Sequence, residues 1–145
     1  MERRQALSLP VARVLVIVVY ATALVVYPAI GAMVKLPKAL APQTGQLLGI
    51  ILLSVGGFEY LLSLWLERRL LLRAAERGDP HAAVVSAAMV VAAMGESLGL
   101  FGLVLALLSA NAWALALYAL CLLHGIHLAL RWPDYEQAAA QPDEP

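Results

Sequence analysis

The sequence predicts an all-α integral membrane protein, a bundle of four transmembrane helices with both termini in the cytoplasm. Three observations carry that prediction. The 145 residues are 62% hydrophobic and only 14% charged, with a mean hydropathy of +0.80, far more apolar than a soluble domain of this size. Apolar residues gather in four runs, each close to or above the roughly 20 residues that a helix needs to cross the hydrocarbon core. Finally, eight of the ten Lys and Arg residues fall on one side of the four runs.

The runs are 11–34, 46–65, 82–109 and 112–130 within a single domain of residues 1–135. The first follows Arg3 and Arg4. It stays apolar up to Lys35 and Lys38 without a good small-residue cleavage site, so it reads as a span and not as a secretory signal. Arg13, Tyr20 and Tyr27 stand seven apart on one side of it, with Arg13 placed to snorkel to the headgroups. The second run has a short small-residue seam, Gly45, Gly49, Gly56 and Ser63, with Glu59 on the same face. Beyond it, the helix-forming "LERRLLLRAAER" extends the helix a turn or two past the bilayer. Gly78 then stops it, Asp79 caps the next helix and Pro80 takes the first helical position.

The third run has the longest seam: Ala88, Ala92, Gly95, Gly99, Gly102, Ala106 and Ser109 recur at steps of four and three. Small residues let a neighbouring backbone approach, which drives helix association where lipid supplies no hydrophobic force. This helix is therefore expected at the centre of the bundle or of a homo-oligomer. The fourth run holds the single cysteine, Cys121, so no intrachain disulfide is possible. Trp65, Trp113, Trp132 and Tyr135 lie at or just past run ends, as interface anchors do. The acidic tail 136–145 has no apolar periodicity and is expected to be disordered.

Orientation follows from charge. Arg3, Arg4, Arg13, Arg68, Arg69, Arg73, Arg77 and Arg131 share one side against Lys35 and Lys38 on the other, so the positive-inside rule puts the arginine side in the cytoplasm. The expected location is the cell inner (plasma) membrane, with the lipid bilayer as surroundings. A net charge of zero gives no basic field for nucleic acid.

Four ionisable residues inside the runs are candidates for function, because a charge at the centre of a membrane helix costs about 2.5–3.5 kcal/mol even on insertion scales. Glu96 is the deepest. Uncharged, such a carboxyl is suited to taking and giving a proton; it also serves as a packing group that donates one hydrogen bond. Glu59 lies nearer the boundary at Glu67 and Arg68, where a structural ion pair would suffice. His124 and His127 share one helix face, with Arg131 one further turn along. They suit a proton relay, or less readily a haem or metal ligand set. In this orientation His124, His127 and Glu59 all occupy the cytoplasmic half and are placed to meet.

The run "MGESLGLFGLVLAL" resembles the carboxylate-bearing helix of the rotary ATPase proteolipid, the c subunit. Glu96 falls on the ion-carrying carboxylate, Phe101 on the following aromatic, and Gly102, Leu103, Val104, Ala106 and Leu107 on the apolar signature. Arg77 and Pro80 sit about where that family has its cytoplasmic loop. The resemblance implies proton or cation binding at Glu96. As a whole the chain resembles small bacterial four-span membrane proteins.

The sequence has no phosphate loop, dinucleotide fingerprint, HExxH or Ser-His-acid set, so no enzyme activity and no cofactor are expected. The leading expectation is a proteolipid-like protein handling protons or cations through Glu96, with Glu59 as a second candidate. The alternatives are an accessory subunit of a membrane complex and a haem- or quinone-binding subunit.

Overall fold

The computed structural model describes residues 8–34, 40–74, 79–109 and 112–140. They form four helices, each long and apolar enough to cross a membrane: α1, Leu9–Met33; α2, Pro42–Ala74; α3, Pro80–Ser109; and α4, Trp113–Ala139. No strand occurs among the described residues.

Local chemistry accounts for where the helices begin and how they bend. At the head of α1, Ser8 is extended and Pro10 stands in the first turn, where its missing N–H removes nothing. At the head of α3, the Ala82 N–H donates to Asp79 Oδ1 at 3.0 Å, so Asp79 caps that helix as its position before Pro80 predicts. Midway along α1, Thr22–Val26 widens into a π-helical segment, and the Tyr27 N–H bonds back to the Thr22 carbonyl. Pro28 is the physical cause. It has no N–H for the Leu24 carbonyl and its ring crowds that carbonyl, so the backbone slips to the wider register just before it.

Helix α2 runs nine residues past Trp65, to Ala74, because the Arg- and Leu-rich stretch continues it without a breaker, as its helix-forming residues predict. One boundary differs from the sequence expectation. Helix α4 runs through Pro133 to Ala139, so 136–139 is helical where a disordered tail is expected; Gln141–Pro145 lie outside the described residues. The expected stop at Gly78 and the Arg77 position also lie outside them.

Close approaches fix the topology. Gly45 meets Ser109 and Gly56 meets Leu98, so α2 and α3 are antiparallel. Gly95 meets His124 and Gly102 meets Tyr118, which makes α3 and α4 antiparallel as well. Gly99 meets Ala23 and Gly31 meets Ala106, so α1 runs parallel to α3. Helix α3 touches all three others, whereas α1 and α2 do not approach one another among the described residues.

The small-residue seam of α3 is filled inside one chain. Ala23 packs on Gly99, Tyr118 on Gly102, and Gly31 on Ala106. Its side chains are small because helices and rings lie directly on the backbone, and dispersion across those contacts holds the bundle. The outward faces remain apolar, with Ile17, Phe58, Leu61, Leu115 and Leu130 well exposed, a pattern suited to a hydrocarbon surround. Trp132 and Tyr135, expected as interface anchors, are instead buried and stacked on each other. They lie on the inner face of the extended end of α4, which packs against the bundle.

Candidate functional site

Helices α2 and α4 run parallel, and polar residues face each other across them in two successive rungs. The upper rung joins Ser63 to His124, and the lower joins Glu67 to His127. Ser63 and Glu67 are one turn apart, as are His124 and His127, so one helical repeat sets both rungs.

His124 is fully buried, and both its ring nitrogens are engaged. Tyr20 Oη stands 2.5 Å from Nδ1, and Ser63 Oγ stands 2.6 Å from Nε2. Ser63 also donates to the Tyr60 carbonyl at 2.7 Å. Because that hydroxyl has one proton, it must accept from Nε2–H, which leaves Nδ1 to accept from Tyr20. The chain Tyr20 to His124 to Ser63 to the Tyr60 carbonyl is thus saturated, with a neutral imidazole at its centre. The Tyr60 ring lies edge-on to the imidazole at 5.4 Å. No lone pair of His124 is left for a haem iron or a metal.

Losing one link should cost stability and not merely adjust it. Ser63→Ala strands the buried Nε2–H and is expected to destabilise the protein by about 1–2 kcal/mol. Thermal unfolding in detergent micelles tests this. Unchanged stability would mean that the imidazole finds another acceptor.

The lower rung sets one carboxyl against two basic groups. The Glu67 side chain is only 3% exposed, with Oε2 2.9 Å from His127 Nε2 and Oε1 3.9 Å from Arg131 Nε. Arg131 also pairs with Asp134 at 2.6 Å. The buried Tyr135 hydroxyl stands beside Glu67 as a third polar neighbour, though neither it nor Glu67 Oε1 makes a hydrogen bond within 3.5 Å. Outside this nest, Arg13 approaches Glu136 at 3.8 Å, with both side chains more than half exposed.

Glu96 lies apart from the two rungs. It sits near mid-length of α3, roughly 24 Å by helical rise from Pro80 and roughly 20 Å from Ser109. Half-buried, it accepts a 2.8 Å hydrogen bond from Tyr27 Oη on Oε1. Tyr27 follows the π-helical segment of α1, which packs beside α3 through Ala23 and Gly99.

The structure therefore sorts the residues picked from sequence. His124 and His127 face α2 together, and Glu96 has its own phenolic partner. Glu59 is half-buried and has no hydrogen bond or ion pair to a described residue. The expected meeting of Glu59 with the histidines does not occur. The register that pairs Ser63 with His124 puts Glu59 one turn short of the first histidine, and the carboxylate that meets a histidine is Glu67, one turn beyond Ser63. Gly95, Gly99, Gly102 and Ala106 serve close packing against Tyr20, Ala23, Tyr118 and Gly31.

Sequence reasoning missed Glu67 and Ser63 as site residues, although a signal exists. The buried positions Gly49, Gly56, Ser63 and Glu67 continue one seam by steps of seven, seven and four, which puts Glu67 on the inner face. Among the described residues no cluster of three or more His, Cys, Asp or Glu is arranged to hold a metal ion. Comparison of the chain with protein-family models, curated proteins and solved structures gives no match.

Proposed function

We propose that this is a small integral membrane protein, proteolipid-like in its chemistry, that takes up and gives back a proton at Glu96, with both termini on the cytoplasmic side. The observation that carries the reading is the Tyr27–Glu96 pair at mid-length of the central helix. The Tyr27 hydroxyl can donate to either form of the carboxyl, more strongly to the carboxylate than to the carbonyl oxygen of the neutral acid, so the bond persists in both protonation states. Glu67, by contrast, faces two basic groups, His127 and Arg131. One carboxyl and one phenol supply too few oxygens for a hard cation, which favours a proton over a metal ion as the species bound.

The orientation rests on charge placement. Arg13, Arg68, Arg69, Arg73 and Arg131 lie towards one end of the bundle, and the described residues at the other end have no charged side chain. The saturated Tyr20–His124–Ser63 chain favours a second reading, in which the polar residues only lock helices together and the protein is an accessory subunit or homo-oligomer without transport chemistry.

Carbodiimide labelling in native membranes, read by mass spectrometry, separates the two. These reagents modify protonated carboxyls in apolar surroundings. Label is expected at Glu96, falling as pH rises, absent in Glu96→Gln and retained in Glu59→Gln. Tyr27→Phe, which removes the competing donor, is expected to raise the yield. No label on Glu96 at any pH would leave the accessory reading standing.

A further inference from the structure

From the structure we infer that the cleft between α1 and α4 is a binding site for one phospholipid, with its phosphate at Arg13 and one acyl chain lying along the cleft. The inference rests on the membrane reading above but not on the role of Glu96, which lies on α3 outside the cleft.

Helix α1 packs against α3 and only skirts α4, so a cleft of about 440 Å³ opens between them on the outer face. Its walls are apolar, formed by Val16, Leu24 and Val25 from α1 and by Leu122, Ile126 and Ala129 from α4. Gly125 and the Tyr20 ring, in close contact, form its floor. Polar chemistry is confined to one end, where Arg13 and Trp132 stand together with the guanidinium 5.9 Å from the indole centre.

Three features select the occupant. From Arg13 to Val25 the cleft extends roughly 18 Å by helical rise, close to the roughly 15 Å of one leaflet's hydrocarbon. A chain anchored at Arg13 would therefore end near the midplane, where the cleft ends. The single cation stands at the arginine-rich end, at headgroup depth, where it complements a phosphate. Its present partner, Glu136, is 3.8 Å away with both side chains more than half exposed, a weak pair that a phosphate can displace.

The test is native mass spectrometry of the full chain in detergent, titrated with phosphatidylglycerol and separately with diacylglycerol of the same chains. One phosphatidylglycerol per chain is expected to bind at least tenfold more tightly than diacylglycerol. Arg13→Gln should bring the two to the same level. Glu136→Gln, which frees Arg13, should tighten phosphatidylglycerol. Ala129→Trp fills the cleft and should weaken both lipids tenfold or more; Ala21→Phe on the opposite wall does the same if the tryptophan variant fails to fold, as judged by circular dichroism. Inorganic phosphate alone is expected not to compete. Equal binding of the two lipids to the native chain, phosphatidylglycerol adducts indifferent to Arg13→Gln, or displacement by inorganic phosphate would overturn the assignment.

Discussion

Replacing both His127 and Arg131 by leucine is expected to destabilise the bundle by about 3–5 kcal/mol, the range for a buried charge left without its partners. Glu67 is the reason. Its side chain is 3% exposed, and its two oxygens are met by His127 and Arg131. With both bases gone, a carboxylate remains in a site lined by the Trp132 and Tyr135 end of α4. Asp134 also loses its partner, but it is 43% exposed and should add little. The diagnostic step is a third substitution. Adding Glu67→Leu removes the stranded charge, and an apolar set of similar volume is often as stable as the ion pair it replaces. The triple variant should therefore recover most of the loss in a denaturant titration in mixed micelles. A double variant that loses less than about 1 kcal/mol, or a triple variant that stays as unstable as the double, would show that Glu67 is not held by these two groups.

The same cluster shows how much of this protein the sequence reveals. Four apolar runs and two seams of small residues specify four helices with the third at the centre, because length and spacing are local properties that survive into the fold. Helix ends were less legible: "LERRLLLRAAER" and "PDYEQAA" are good helix formers, and only the tertiary contacts of Glu67, Trp132 and Tyr135 show that they also pack. Partners were least legible of all. Placing Glu59 with the histidines needs only depth, which the sequence supplies; placing Glu67 there needs the relative register of α2 and α4, which the paired rungs reveal and no single helix contains. The tyrosines of α1 make the same point. Their seven-residue spacing predicts a shared side, yet Tyr20 goes to His124 and Tyr27 to Glu96, two partners on two different helices, with the π-helical segment between them.

Saturation separates the two polar sites physically. At His124 every donor has an acceptor within the chain, so a proton can move only if a bond is broken, and the site resists change. At Glu96 a single phenol meets a half-buried carboxyl, and no further hydrogen bond from a described residue ties that carboxyl in place. One arrangement secures the positions of α1, α2 and α4, and the other joins α1 to α3 through a single hydrogen bond.

Gly95→Val should be the most damaging single substitution on α3, at about 3 kcal/mol, the upper end of the usual cost of overpacking. A Cβ at position 95 would overlap the Tyr20 hydroxyl and lie 2.6 Å from His124 Nδ1, so it would be forced between the two atoms whose hydrogen bond joins α1 to α4. The branched side chain then drives α1 away from α3 as well as breaking that bond. Gly57 supplies the contrast within the same protein. Nothing lies within 4 Å of a Cβ built there, so Gly57→Ala should leave stability unchanged or raise it by about 0.5–1 kcal/mol through helix propensity alone. Coupling identifies the cause. Tyr20→Leu withdraws the phenol that the introduced valine would strike, so combining it with Gly95→Val should cost less than the sum of the two single changes, by about 0.5 kcal/mol or more on the scale of contacting pairs. Strict additivity in that cycle would mean that Gly95 is needed for the backbone of α3 itself and not for the approach of Tyr20 to His124.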